Sequence, residues 1–353
     1  MSYRPKLVIS APCSSRSGYG DHARDIVYSL LRQDKYDISI LDQRWGACPR
    51  TELPNHPKLK NLVITELNSQ PDIWAQVTVA NEFQKIGRHV NIGITAGIET
   101  DRVAHTWLEG CNRMDLVIVP SEHSKDVLKN TQYTGKDQNG NTATLQCTTP
   151  VEVAIEGLDL TVFNNKAKSD TVDNFMSSVK ESFAFLFVGH WLQGEFGQDR
   201  KDVARCIKIF VDTFKRKSSR NRPALILKTG RAGFSRVDKH QIIAQVRKLA
   251  GDSGVNVYLL HGDLTQEEMA ALYNHTKIKA MVSLTKGEGF GRPLLEFSAT
   301  GKPTIAPAWS GHVDFLMDHG ILLPGELTEI HPSAVADNIL VRGSKWFTVN
   351  LSS

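Results

Sequence analysis

The chain has 353 residues, 41% of them hydrophobic and 23% charged, with a formal net charge of +4. This length exceeds one typical core and indicates two domains of roughly 150 residues each, and the lack of any run of about 18–20 uncharged apolar residues excludes a membrane span. Five scattered cysteines without a C-x-x-C pair argue against a disulfide framework and a zinc site, so we expect a cytoplasmic protein without a secretion signal.

Short apolar runs alternate with longer helix-like segments along most of the chain. Several runs are nearly continuous Val, Ile, Leu and Phe, as expected for parallel strands that are buried on both faces. Because the β-α alternation occurs twice, we predict an α/β protein with two doubly wound Rossmann-like domains. The predicted strands are Leu7–Ser10, Ile38–Leu41, Ile73–Val79, Val90–Ile94, Leu116–Val119 and Val151–Ile155, followed by Ala184–Val188, Ala224–Leu227, Val257–Leu260, Ala280–Leu284 and Thr304–Ala306.

Helix signals lie between these strands. Residues 203–214 place apolar side chains at the i, i+3, i+4, i+7 spacing of one buried stripe. Thr265 and Glu268 form a capping-box pattern, which predicts a helix start. Pro293 suits the first turn of a helix that ends at Gly301.

The domain boundary is predicted between Leu160 and Ser182, where the sequence is polar and lacks periodicity. The predicted domains are therefore 1–165 and 166–325. In the remaining tail, 326–353, one short helix fits, around Ser333–Leu340.

A glycine-containing loop follows the first predicted strand and opens a helix. Gly18 and Gly20 flank Tyr19, and Arg16 and Arg24 lie on either side. Such a loop can face a phosphate group, because its backbone N–H groups and the helix N-terminus attract anions. An ordinary tight βα turn is an equally good interpretation.

Two carboxylates follow the predicted strand that ends at Ile94. Glu99 and Asp101 should lie at the edge of the sheet where the loops after the strands meet. Either could orient an acceptor hydroxyl or act as a general base. The alternative, a helix N-cap at Thr100 or Asp101, has equal weight.

The most informative segment runs from Lys286 to Glu296, after one predicted strand and before a predicted helix. Three glycines, of which Gly289 and Gly291 flank Phe290, let the backbone approach a ligand closely. Glu288 would lie in the loop and Glu296 in the first helical turn, so both could point into one crevice and accept hydrogen bonds from sugar hydroxyls. The alternative is a glycine-rich turn with a Glu that complements the helix dipole.

Motifs from about residue 156 to 316 resemble the donor-binding signature of retaining GT-B glycosyltransferases of family 4. The resemblance implies two Rossmann-like domains facing each other across a cleft, with an acceptor-binding domain 1–165, a nucleotide-sugar domain 166–325, and a tail that crosses back. The matching segments are Glu156–Phe163, Phe187–His190, Arg200–Asp202, His261–Leu264, Leu272–Tyr273 and Ser283–Ala306.

The resemblance also implies roles for individual donor-binding residues. Glu288 would bind hydroxyls of the donor sugar near the reacting carbon, and Glu296 would bind the ribose hydroxyls. The amides of Gly289, Phe290 and Gly291 would approach the sugar and the phosphates.

Two cations, Arg200 and Lys201, would neutralise the diphosphate leaving group, because negative charge grows on the β-phosphate as the glycosidic bond breaks. No metal would then be required, and the sequence has no Asp-x-Asp motif to hold one. The alternative interpretation is a solvated helix start. The loop Gly18–Gly20 resembles the family's phosphate-facing loop, whereas Glu99 stands near a place where relatives often have a His.

The acceptor is the open question, and Arg16 and Asp101 are candidates for binding it. Segments 72–84 and 94–101 look similar to glycosyltransferases of large tailed bacteriophages, some of which glycosylate 5-hydroxymethylcytosine in DNA. The basic run Lys215–Arg222 could contact DNA phosphates, or could be cations that stabilise a helix C-terminus. Other acceptors are a surface polysaccharide or a lipid-linked glycan. The remaining alternatives are a phosphorylase, an epimerase, or a non-catalytic nucleotide- or DNA-binding module. The sequence leaves the donor base, the donor sugar and the oligomeric state open.

Overall fold

The computed structural model describes residues 3–136, 140–192, 196–231, 234–336 and 338–350. The chain divides into two compact units. The first unit comprises Met1–Gly157 and Val335–Ser344, and the second comprises Leu158–Ala334 and Lys345–Ser353. The segment between Ala334 and Lys345 thus belongs to the first unit, although the strand that follows it belongs to the second.

The first unit is built on a parallel sheet with helices between its strands. Its strands are β1 Lys6–Ala11, β2 Asp37–Asp42, β3 Val63–Ile64, β4 Ile73–Val77, β5 Val90–Ile94, β6 Leu116–Val119, β7 Gln132–Lys136, β8 Thr142–Gln146 and β9 Val151–Val153, and its helices are α1 Gly18–Gln33, α2 Pro57–Lys60, α3 His105–Asn112 and α4 Glu122–Asn130. Within the described residues, the parallel strands follow the order β3-β2-β1-β4-β5-β6-β9, and β7 pairs antiparallel with β8. The order reverses between β1 and β4, as in a doubly wound fold.

The second unit repeats this plan. Its strands are β10 Ala184–Val188, β11 Ala224–Lys228, β12 Val257–Leu260, β13 Ile278–Val282, β14 Thr304–Pro307, β15 Ile321–Leu323, β16 Gly325–Glu329 and β17 Lys345–Val349, and its helices are α5 Asp170–Ser177, α6 Val203–Phe214, α7 Arg236–Ala250, α8 Gln266–Asn274, α9 Arg292–Ser298 and α10 Val313–Leu316. The parallel order is β12-β11-β10-β13-β14-β15, and β16 pairs antiparallel with β17. The prediction of two doubly wound Rossmann-like domains is confirmed.

The central strands are buried on both faces, which explains their continuous apolar sequences. Ile9 and Val77 in the first unit and Leu186 and Ile226 in the second are inaccessible to solvent. Helix α6 covers its sheet with the predicted apolar stripe. In the part of the chain that the structure describes, no helix is long and apolar enough to cross a membrane.

The predicted helix at Ser333–Leu340 is wrong. The structure has a single 3-10 turn at Pro332–Ala334, then an isolated bridge between Ala336 and Leu340. Asn338 adopts a left-handed backbone conformation with φ of 66°, and its carbonyl accepts a hydrogen bond from the indole of Trp107 in α3. These tertiary contacts hold the segment in a turn that the local propensity does not specify.

Candidate functional site

The candidate site of the second unit lies where the strand order of its sheet reverses. The neighbouring strands β10 and β13 lead to loops 189–202 and 283–291, and helices cover opposite faces of the sheet on either side of this point. In open α/β sheets, a crevice for ligands forms at this place, outside the carboxyl ends of the strands. The topology therefore explains why residues nearly ninety positions apart along the chain meet.

Three charged side chains from the two loops form the charged cluster: Arg200, Lys201 and Glu288. The Arg200 guanidinium donates to the Gly287 carbonyl at 2.8 Å and lies 3.1 Å from one Glu288 carboxylate oxygen. The Lys201 ammonium donates to the other oxygen. Helix α6 begins at Val203, so both cations precede its first residue.

The carboxylate of Glu288 is held in its charged form. Burial alone would raise its pKa, but the charges of Lys201 and Arg200 outweigh burial and lower the pKa to about 2. Its side chain is 10% exposed, whereas that of Arg200 is 29% exposed. The charged cluster is thus an internal ion-pair network, in which an anion could replace the carboxylate as partner of the cations.

The backbone around Glu288 is fixed from the loop after β14. The Ser310 hydroxyl accepts a hydrogen bond from the Glu288 amide at 2.9 Å, and the Gly311 amide donates to the Glu288 carbonyl at 2.9 Å. Ser310 itself has a left-handed φ of 80°. The His312 ring is fully buried. Its Nε2 donates a hydrogen bond to the Pro307 carbonyl at 2.8 Å, and its Nδ1 lies 3.5 Å from the Ser310 hydroxyl.

In the glycine segment, the backbone rather than the side chain of Phe290 is available for contact with a ligand. That side chain is buried and packs on Phe315 with ring centroids 5.1 Å apart. Gly291 caps α9 with a φ of 96°, a conformation that side-chain-bearing residues rarely adopt. Gly289 lies between Glu288 and Phe290, so the amides assigned to phosphate and sugar binding belong to a loop of fixed shape.

Glu296 lies in the second turn of α9, not in the first turn as predicted, because the helix begins at Arg292. The Tyr273 hydroxyl donates to one carboxylate oxygen at 2.8 Å, and the Arg292 guanidinium lies 3.4 Å from the other. Burial, followed by the charge of Glu296, raises the pKa of Tyr273 well above its usual value. The phenol is therefore a permanent donor that orients Glu296.

His190, the last residue of the matching segment Phe187–His190, lies among the cations that follow β10. Burial lowers its pKa first, and the charges of Lys201, Lys228 and Arg200 lower it further. Its ring is consequently neutral at pH 7, so it can donate or accept a hydrogen bond without adding charge. The resemblance covered this position but assigned no role to it.

In the first unit, the predicted glycine loop follows β1 and opens α1 as expected. Ser17 is the N-cap and accepts from the Gly20 amide at 3.1 Å. A Cβ at Gly20 would lie 2.2 Å from the Ser15 carbonyl oxygen, so only glycine fits there. Arg24 is buried and donates to the Ser15 carbonyl, which makes it a support of the loop rather than a ligand-facing cation.

Tyr19 and Arg16 connect this loop to neighbouring segments of the first unit. The Tyr19 ring stacks on Trp45 with centroids 4.0 Å apart, and its hydroxyl lies 3.0 Å from that of Thr95. The Arg16 guanidinium lies 3.9 Å from Glu52, whereas Gly18 is exposed. Tyr19 is thus anchored on both sides.

Glu99 and Asp101 lie after β5, both partly exposed. Helix α3 begins at His105 with Ala104 as its N-cap, so the alternative of an N-cap at Thr100 or Asp101 is wrong. Burial raises the pKa of Tyr19, and the charge of Glu99 adds to the shift, which places that carboxylate near the tyrosine. These residues belong to the first unit, and the charged cluster belongs to the second.

The solved structures whose fold is similar to that of this chain are GT-B glycosyltransferases with two Rossmann-like domains. The sucrose-phosphate synthase of Thermosynechococcus elongatus is 15% identical, with a TM-score of 0.60 over 91% of this chain and 86% of that one. An E. coli trehalose-6-phosphate synthase bound with UDP-2-fluoro glucose is 12% identical, with a TM-score of 0.59 over 90% and 87%. The α,α-trehalose-phosphate synthase of Burkholderia xenovorans, in complex with glucose-6-phosphate, is 10% identical, with a TM-score of 0.58 over 90% and 88%. No family model and no curated protein matches the sequence.

Proposed function

We propose that this chain is a retaining glycosyltransferase that moves a sugar from a nucleotide diphosphate sugar to an acceptor hydroxyl. The observation that carries the proposal is the charged cluster of Arg200, Lys201 and Glu288 at the reversal of the strand order. Two cations beside one carboxylate match the two ends of such a donor, because a diphosphate needs positive charge and a sugar needs hydrogen-bond acceptors.

The proposed reaction uses these residues in sequence. On donor binding, the diphosphate takes over Arg200 and Lys201, and Glu288 accepts hydrogen bonds from the sugar hydroxyls. The bond between the anomeric carbon and the β-phosphate oxygen breaks, its electron pair stays on that oxygen, and the cations stabilise the charge. The acceptor oxygen bonds to the same face of the anomeric carbon, and its proton passes to the leaving phosphate.

Two of the structural neighbours support the donor class and the stereochemistry. One is bound with UDP-2-fluoro glucose, and another concerns glycosyl transfer with retention by trehalose-6-phosphate synthase. We propose that Glu296, oriented by Tyr273, binds the ribose of the donor nucleotide. Because Arg200 and Lys201 supply the required positive charge, we also propose that no divalent metal is obligatory.

A donor library tests this proposal. UDP-, GDP- and ADP-linked hexoses and pentoses would be incubated with the protein and hydroxyl acceptors, with and without EDTA. We expect one nucleotide class to be consumed, EDTA to leave the rate unchanged, and the product to keep the donor's anomeric configuration. A free sugar nucleotide with an altered sugar would indicate an epimerase, and phosphate-dependent release of sugar phosphate would indicate a phosphorylase; either result contradicts the proposal.

For the acceptor, we propose 5-hydroxymethylcytosine in double-stranded DNA, with a surface polysaccharide or lipid-linked glycan as the alternative. The support is the phage-like sequence of the first unit and the basic run 215–222. Within that run, Arg222 donates to the Lys215 and Lys217 carbonyls, and Lys215 pairs with Asp212. The exposed cations left for phosphate contacts are Arg216, Lys217 and Arg220.

The DNA proposal predicts a defined salt dependence. With three phosphate contacts, the logarithm of the DNA affinity should fall with the logarithm of salt concentration with a slope of about −2.7. Replacement of Arg216, Lys217 and Arg220 by Gln should bring the slope near zero without changing donor consumption. The measurement is fluorescence anisotropy with duplex DNA at several salt concentrations, together with transfer assays on DNA and on glycans. Transfer to glycans but not to hydroxymethylated DNA at low salt would exclude the DNA acceptor.

A further inference from the structure

In the turn that carries the two cations, the two inner side chains and the two outer side chains have different surroundings. We call Asp199–Asp202 the cationic turn. Arg200 and Lys201 reach Glu288, whereas Asp199 and Asp202 are buried at 4% and 1% exposure. Asp202 has a left-handed φ of 47°, a conformation that costs energy for a residue with a side chain. Something beneath the turn must therefore hold it in place.

Lys286 occupies that place. Its amide donates to the Arg200 carbonyl at 2.7 Å, and its ammonium group donates to the Gly197 carbonyl. One residue thus binds the backbone of the loop after β10 at two points, one of them within the cationic turn. Lys286 also lies two positions before Glu288, so it joins both halves of the charged cluster.

The C-terminal strand completes this arrangement. The Phe347 amide in β17 donates to the Lys286 carbonyl at 2.8 Å, and the Lys286 ammonium lies 4.5 Å from the centre of the Trp346 ring. Trp346 is 1% exposed, so it shields the ammonium from water and favours it by a cation–π contact. Neither contact follows from the donor-site motif.

The buried carboxyl groups of Asp199 and Asp202 lie close enough to the Lys286 ammonium to affect its pKa. Burial lowers the pKa of Lys286, and the carboxylates of Asp202 and Asp199 raise it. Burial raises the pKa of Asp199 to about 7, whereas Lys286 acts to lower it. The guanidinium of Arg205, 3.3 Å from Asp202, adds a second positive charge.

We propose that Lys286 is a positioning residue of the donor site, which fixes the cationic turn by binding the Arg200 carbonyl through its amide and the Gly197 carbonyl through its ammonium group. The inference rests on the proposed function, since it assigns the turn to diphosphate binding. Lys286 does not touch the donor; it determines where Arg200 and Lys201 stand.

The experiment compares Lys286→Met, Lys286→Gln and Lys286→Arg with the wild type. The matched control is Lys277→Met, because Lys277 is a partly buried lysine of the same unit whose ammonium binds the Met176 and Val179 carbonyls, away from the turn and from Glu296. Titration calorimetry with UDP, GDP and ADP measures diphosphate binding. Hydrogen exchange of the peptide covering residues 197–203, followed by mass spectrometry, measures the order of the turn.

We expect Lys286→Met to weaken binding of the preferred nucleotide by 10- to 100-fold and to accelerate exchange in residues 197–203. Lys286→Arg should retain affinity within a few-fold, Lys286→Gln should fall between, and Lys277→Met should leave both readouts at wild-type level. Unchanged exchange and affinity in folded Lys286→Met or Lys286→Gln would overturn the inference. Locally faster exchange in a protein that binds none of the three nucleotides would keep the positioning role and defeat the proposed function instead.

Discussion

Replacing Glu288 by Gln should reduce sugar transfer by about 10²- to 10³-fold, while nucleoside diphosphate binding is retained or strengthened. The reason is that this carboxylate pairs with both Arg200 and Lys201. The diphosphate must displace it, so a neutral amide removes a competitor for the cations. The same change removes the charged acceptor for the sugar hydroxyls, which matters most in the transition state.

The measurements are steady-state transfer rates and calorimetric titration with the free nucleoside diphosphate. Glu181→Gln is the control, because Glu181 lies in the same unit and accepts hydrogen bonds from Asn256 and Tyr258 outside the site. We expect this control to transfer at the wild-type rate. Transfer by Glu288→Gln within about three-fold of wild type would remove Glu288 from the reaction, whatever its effect on binding.

Replacing Lys201 by Met should destabilise the protein by up to about 3 kcal/mol at neutral pH. In the wild type the pKa of Glu288 is lowered from its usual 4.5 to about 2, because the charges of Lys201 and Arg200 outweigh burial. A carboxyl with a depressed pKa in the folded state contributes stability above pH 4.5, and this contribution is lost as the pH falls towards 2. The difference between wild type and variant should therefore be largest above pH 5 and fall to about half or less by pH 3.

Urea unfolding at pH 7, 5 and 3, followed by tryptophan fluorescence, gives the free energies of unfolding. Lys208→Met provides the comparison, since Lys208 pairs with Asp212 on the surface, where both side chains are 40% exposed or more. An exposed pair of this kind contributes at most about 1 kcal/mol. A pH-independent loss of stability in Lys201→Met would contradict the ion-pair origin of the effect.

The sequence pattern predicted the central strands and the helices between them well, because buried parallel strands leave an unmistakable apolar run. Ala184–Val188 and Val257–Leu260 agree residue for residue, and the capping box of Thr265 and Glu268 is present. The strands β3 and β15 and the antiparallel pairs β7–β8 and β16–β17 are not among the predicted strands. Except for β17, which is largely buried, these strands are partly exposed and their sequences are too short or too polar to carry a periodic signal.

The site was predictable to the extent that it depends on glycine and charge spacing. The pattern pointed to Arg200, Lys201 and Glu288, and the structure brings these three together. It did not indicate the contact of Ser310 with the Glu288 amide or that of Lys286 with the Arg200 carbonyl, because these contacts join segments distant in sequence. It also did not indicate that Glu288 pairs with both cations, because charge spacing alone does not reveal which partner a cation takes.

The hydrogen bond between Phe347 and Lys286 has a consequence for how the molecule is made. A ribosome synthesises a polypeptide from its N-terminus at about 5–20 residues per second, and domains tend to fold as they emerge. Phe347 follows Lys286 by roughly sixty residues, so at that rate it is translated some seconds later. Until β17 arrives, the loop beneath Arg200 lacks its amide donor and the cover of Trp346. A nascent chain should therefore form the sheets of both units before it can hold a diphosphate at this site, and ribosome-bound intermediates that lack β17 should be inert towards the nucleotide.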